Sequence, residues 1–174
     1  ETHGGLKNIN VAKMEFETDL DTFKADAASV VPAQRAGAIA MAAGVNDGDW
    51  CPINPASMQS KADENIYVLG DASVAASMPK SGFSANSQAK VAANHIRGSL
   101  TGSKVFDARY ANTCWSLVGT NDGIKVGASY KAGPEKIDAT SKFVSQTGED
   151  SAVRKATYDE SVSWYDGITT DMFS

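Results

Sequence analysis

The chain has 174 residues, 42% hydrophobic and 21% charged, a balance that suits one fair-sized folded domain or two small ones and excludes a disordered chain. Its formal net charge of -5 argues against nucleic acid, whose phosphates call for clustered Lys and Arg. No apolar run approaches the roughly 20 residues of a membrane-spanning helix.

No secretory leader is visible, and the chain starts at Glu1 without an initiator Met, so the expectation is that whatever preceded it was removed or never included. Two cysteines, Cys51 and Cys114, are too few for a disulfide scaffold. Composition leaves them free to pair with each other, stay reduced, or pair with cysteines elsewhere.

In chain order, residues 8–14 and 16–25 alternate near period two, with Asp19 and Asp21 marking a turn between short strands. Residues 34–43 favour helix, with Gly44 as C-cap. Residues 46–55, with Gly48, Pro52 and Pro55, read as a loop. Ile66, Tyr67, Val68 and Leu69 form a short apolar run of the buried-strand kind, ending at Gly70-Asp71. A small-residue loop leads to Met78-Pro79-Lys80-Ser81-Gly82. A helix is expected from Phe83 to about Arg97, with Gly98 as its stop. Residues 109–118 and 124–130 predict two strands joined through Asn121-Asp122-Gly123, a good hairpin signal. Gly133-Pro134 breaks the chain, and residues 149–165 predict a final helix.

These pieces resemble one family in their order. Ile66-Tyr67-Val68-Leu69-Gly70-Asp71-Ala72 resembles the second FAD-binding motif of the two-dinucleotide-binding-domain flavoproteins. Met78-Pro79-Lys80-Ser81-Gly82-Phe83, with Ala85-Asn86-Ser87-Gln88 opening a helix, is similar to the segment beneath the flavin ring in the flavoprotein subunit of flavocytochrome c sulfide dehydrogenase. Val31-Pro32-Ala33-Gln34-Arg35-Ala36-Gly37, with Ala33 and Arg35 as departures, resembles a further segment of that family. So do Asp49-Trp50-Cys51-Pro52, Asn112-Thr113-Cys114-Trp115-Ser116-Leu117 and the close from Trp164 to Phe173.

The resemblance implies an α/β chain with an α+β C-terminal portion, cut from an FAD/NAD(P)-linked disulfide-reductase-like fold. Its parts would be residues 1–60, the end of the second nucleotide-binding-like domain; 61–100, the returning FAD-binding strand, loop and helix; and 101–174, the C-terminal flavin-binding interface domain. FAD is the implied cofactor. Gly70, Asp71, Pro79, Lys80, Ser81 and Gly82 would bind it, Asp71 accepting from a ribityl hydroxyl and Lys80 adding charge beside a helix N-terminus. Cys114 would be one half of a redox disulfide against the flavin, attacked by sulfide, and Trp164 would shield the ring from water. Lys80 could equally be a solvated loop lysine, Cys114 a buried free thiol, and Trp164 a core anchor. Cys51 reads as structural, and Trp50 and Trp115 as packing residues.

The implied partners are a haem-bearing cytochrome c subunit and the N-terminal half of the flavoprotein. That half would carry the G-x-G-x-x-G turn and the second redox cysteine, neither of which appears here. The implied location is the bacterial periplasm. Two rivals stand beside this reading: a related flavoprotein of thiosulfate oxidation, and a diverged flavoprotein domain without catalysis. His3 and His95 have no spacing to each other or to cysteine that would make a metal site.

Overall fold

The computed structural model describes residues 4–174, so His3 lies outside the described residues. The chain divides into two units, Glu1–Gln34 and Arg35–Ser174.

In the first unit, β1 (Leu6–Asn10), β2 (Glu15–Thr18) and β3 (Thr22–Lys24) form an antiparallel meander in the order β1-β2-β3. The expected turn at Asp19 and Asp21 separates β2 from β3. Thr18 Oγ1 shapes it by accepting the Leu20 and Asp21 amides at 3.3 and 3.1 Å. The first strand ends earlier than its alternation suggests, because Asn10 caps a 3-10 turn over Val11–Lys13 and Met14 turns left-handed at φ 53°. No described residue of this unit is buried.

The second unit holds the core. Helix α1 (Ala38–Ala42) is shorter than the expected residues 34–43, and Gly44 follows it at φ +66° as a C-terminal stop. Strands β4 (Cys51–Pro52) and β5 (Ser73–Val74) form a two-residue parallel pair. Between them the run at 66–69 is not the buried strand its composition suggests. Only Tyr67 pairs, through an isolated bridge to Gln59, and Leu69 is exposed. The run instead supplies partial cover, with Val68 packed against both buried clusters.

Helix α2 (Gly82–Thr101) buries Ser84, Gln88, Val91, Ala92 and Gly98, a stripe at helical spacing. It runs past Gly98, the expected stop, to a cap at Gly102 with φ 68°. Gly98 serves closeness instead: a Cβ there would lie 2.2 Å from Val105 Cγ2 in the returning chain.

Strands β6 (Arg109–Gly119), β7 (Asp122–Ala132) and β8 (Ile137–Val144) form the second antiparallel meander, order β6-β7-β8. The hairpin expected at Asn121 is present, with Asn121 at φ 56°. Strand β8 follows the Gly133-Pro134 break, where no strand was expected. Helix α3 (Ser151–Phe173) closes the chain, its N-terminus capped by Asp150 accepting from the Ala152 amide at 2.7 Å. It runs eight residues beyond the expected end at 165.

The β6-β7 hairpin presents one face to each of the two long helices. Tyr110, Ala128 and Tyr130 join Val91 and Ala92 of α2 in the main core. On the opposite face α3 comes so close that a Cβ on Gly123 would meet the Tyr158 amide nitrogen at 2.8 Å. Ion pairs from Arg154 to Asp122, at 2.6 Å, and from Lys125 to Glu160 tie that helix to β7. The sequence expectation of a mixed α/β chain is what the structure has: three sheets and three α-helices among the described residues.

Candidate functional site

All of the candidate residues lie in the Arg35–Ser174 unit. Gly70, Pro79, Lys80 and Ser81 line one depression together with Trp50, Ser84 and Gln88. Asp71 and Gly82 stand just outside it, both exposed.

Local chemistry explains this arrangement. Gly70 and Asp71 form a single 3-10 turn with φ +67° at Gly70, and the Gly70 amide donates to the buried Gln88 Oε1 at 2.7 Å. That bond ties the turn to α2. Ser81 is the N-cap of α2: its hydroxyl accepts the Ser84 amide at 3.1 Å, one of the donors a helix start leaves open. The Gly82 and Phe83 amides at the first two helical positions face out with the partial positive charge of the helix.

Lys80 is held from several sides. Its ammonium lies 3.6 Å from the Trp50 ring centroid, donates to the carbonyl of Asp71, and reaches that of Ser73 at 3.4 Å. Burial pushes its pKa below the ordinary lysine value, and the charges of Asp71 and Cys51 push back. Cys51 is fully buried, 0% exposed, in a cluster with Ala36 and Val45. Burial pushes its thiol up, with the Lys80 charge opposing. This is the environment of a structural cysteine, as the sequence suggests.

Cys114 differs: it is exposed, and both cysteines are free thiols. It lies on the face of β6 that α2 covers further along the strand, in a depression shared with Pro79, Asn112, Val126, Tyr130 and Lys142. Between Cys114 and the helix start stands Asn112, 3% exposed. Its Oδ1 accepts from the hydroxyls of Ser81 and Ser84 at 2.5 and 3.1 Å, and its Nδ2 donates to Cys114 Sγ at 3.5 Å. The segment 79–82 and the exposed thiol are thus joined through one buried amide.

Trp164 is not in that depression. It stacks on Phe83, centroids 5.3 Å apart, and packs on Trp115 at 5.6 Å, while Phe83 and Trp115 are 5.8 Å apart. Trp115 follows Cys114 in the strand and so points to the other face. Trp164 therefore connects with segment 79–82 through Phe83, the residue after Gly82, and lies across the sheet from Cys114. Sequence reasoning missed Asn112 and Ser84, and read Trp50 only as packing. A serine pair spaced i, i+3 at a helix start was the available signal.

Residues 106–173 match the family model described as flavocytochrome c sulphide dehydrogenase, flavin-binding. This C-terminal part of the chain is similar to that flavin-binding domain. The matched region starts just ahead of β6 and ends with the last residue of α3, so it contains Asn112, Cys114 and Trp164 but not residues 70–82.

FAD is the flavin this domain takes, and the residues present fit it. The Asp71 carboxylate is exposed and accepts no hydrogen bond among the described residues, which leaves it open to a ligand hydroxyl. The ammonium of Lys80 and the first amides of α2 would offer positive charge to a bound anionic group. His95 is occupied elsewhere, its Nδ1 2.8 Å from the Tyr67 hydroxyl. Among the described residues no group of three His, Cys, Asp or Glu could hold a metal ion, and no helix is long and apolar enough to cross a membrane.

Proposed function

We propose that this chain is the C-terminal part of an FAD-dependent sulfide dehydrogenase of disulfide-reductase-like fold, and that Cys114 is one half of its redox disulfide. The N-terminal half of the flavoprotein would give the second cysteine and the G-x-G-x-x-G turn, a cytochrome c subunit would receive the electrons, and the assembly would work in the periplasm. Residues 1–60 and 61–100 would then be the end of the second nucleotide-binding-like domain and the returning FAD segment.

The observation that carries this reading is the link from Ser81 through Asn112 to Cys114. It joins the one exposed thiol among the described residues to the segment proposed to run under the flavin. In the proposed step hydrosulfide attacks one sulfur of the disulfide. The S–S bond breaks, one sulfur becomes a persulfide and the other leaves as a thiolate. Bound flavin supplies a two-electron acceptor that can pass electrons on singly. The chain's own residues would hold the sulfur and the charge: Cys114 offers an accessible Sγ, Lys80 and the first α2 amides would offer positive charge to the bound flavin, and Phe83, Trp115 and Trp164 pack together beside the start of the helix.

The test is Cys114→Ser in the complete flavoprotein carrying FAD. Sulfide should no longer bleach the flavin, while dithionite still does. Near-normal turnover with sulfide would overturn the assignment.

A further inference from the structure

Gln88 is 1% exposed, in the buried stripe that it shares with Ser84, Val91 and Ala92 on α2. An apolar side chain at such a position would pack without the cost of taking polar atoms out of water. The amide has partners in two different loops. Oε1 accepts the Gly70 amide at 2.7 Å, and Nε2 donates to Met78 Sδ at 3.8 Å. A backbone amide can only donate, so Oε1 has to face Gly70, which leaves the side-chain N–H groups for Met78. Among the described residues the Gly70 bond is the one hydrogen bond between the turn Gly70–Ala72 and α2.

Both loops line the depression at the start of α2, Gly70 from the first and Met78, Pro79 and Lys80 from the second, and Gln88 lines it too. We infer that Gln88 is a positioning residue for the flavin site: one buried amide fastens the Gly70-Asp71 turn and Met78 to α2, and so presets the Asp71 carboxylate for FAD. The flavin role rests on the reading of residues 61–100 given above; the tie does not. Gly70, at φ +67°, is free of the restraint a Cβ would add, and the Ser73 hydroxyl, donating to the Gly70 carbonyl at 2.8 Å, closes the turn only on itself. Gln88 is what joins it to a long helix. A turn ordered before the cofactor arrives leaves less ordering to be done on binding.

The tie is tested by hydrogen exchange of the Gly70 amide, read by NMR in the full 174-residue chain. Gln88→Met keeps the length of the side chain and removes the acceptor, so Gly70 exchange should rise about tenfold while the β7 amides, the reference for global stability, stay as they were. Gln88→Glu keeps an acceptor and should hold Gly70 exchange within about twofold of the parent. Unchanged Gly70 exchange in Gln88→Met overturns the proposal; should that variant not fold, a tenfold rise in Gln88→Glu does so. The flavin role is read by equilibrium dialysis of FAD with the complete flavoprotein. Gln88→Met should weaken binding about fivefold, and should weaken it no further once Asp71→Ala is present, because the two act through one contact. No loss of affinity, or the same fivefold loss on top of Asp71→Ala, overturns it. If Gly70 exchange responds but Asp71→Ala leaves FAD binding unchanged, the reading of residues 61–100 fails and takes the flavin role of Gln88 with it, while the tie stands.

Discussion

The ammonium of Lys80 lies 3.6 Å from the centroid of the Trp50 ring. The two residues are 30 positions apart, and each comes from a loop. Held also by the carbonyls of Asp71 and Ser73, Lys80 is part of the depression rather than a freely solvated side chain. A double-mutant cycle on Trp50→Leu and Lys80→Met should give a coupling of about 0.5–1 kcal/mol in chemical denaturation. A coupling of zero would mean that the stacking contributes nothing.

Asp71 has no hydrogen-bonding partner for its carboxylate among the described residues. Asp71→Ala should therefore leave the denaturation midpoint of the chain nearly unchanged. In the complete flavoprotein it should weaken FAD retention about tenfold, the worth of one charge-assisted hydrogen bond. Equilibrium dialysis measures the second effect. Loss of stability without loss of cofactor would reverse the roles given to this residue.

Tyr110 is buried and donates its hydroxyl proton to the Pro55 carbonyl at 2.5 Å. Burial raises its pKa far above the ordinary tyrosine value. A raised folded-state pKa means that the unfolded chain loses this proton first as pH climbs. The stabilisation is complete below about pH 10 and drains away above it. Tyr110→Phe should flatten that alkaline decline and cost about 1 kcal/mol at neutral pH, because the Pro55 carbonyl loses its donor. Denaturation midpoints measured from neutral to alkaline pH would show it, and an equally steep decline in the variant would count against the assignment.

Gly127 permits the closest approach in the second meander. A Cβ there would lie 2.2 Å from the Asn112 carbonyl oxygen and 2.4 Å from Phe143 Cζ. Gly127→Ala should cost about 1–3 kcal/mol by forcing β6 and the Phe143 ring away. An unaltered midpoint would show that the sheet has slack at this point.

Trp115 carries an indole N–H that is buried and unpartnered among the described residues. Trp115→Phe removes that polar group and retains ring contact with Phe83 and Trp164, so its stability should stay within about 1 kcal/mol of the parent. Trp115→Ala should lose clearly more. If the Phe variant were as damaged as the Ala variant, the indole N–H would be making a bond that matters.

Local signals carried much of this fold. Ser81 opening α2 and Asn121 in the hairpin were readable because an N-cap and a tight turn are set by a few neighbouring atoms. Gly98 misled because a glycine near the end of an Ala-rich helix looks like a stop, whereas its reason is Val105, seven residues on and close only in space. The run 66–69 looked like a strand by composition, yet its packing on both clusters required no ladder. Strand β8 was hidden by its exposed, polar face beyond Ile137. In the site, the motif pointed to Cys114 and Ser81, but not to Asn112 as the joint between them. That joint spans 31 residues, from Ser81 to Asn112, and no spacing rule reaches so far.

The two thiols also limit what oxygen can do to this molecule. Cys51 is walled in by Ala36 and Val45, while Cys114 faces solvent. Among the described residues Cys114 is therefore the one place where an oxidant or a second sulfur can act without unfolding, and a mixed disulfide would form there rather than at Cys51.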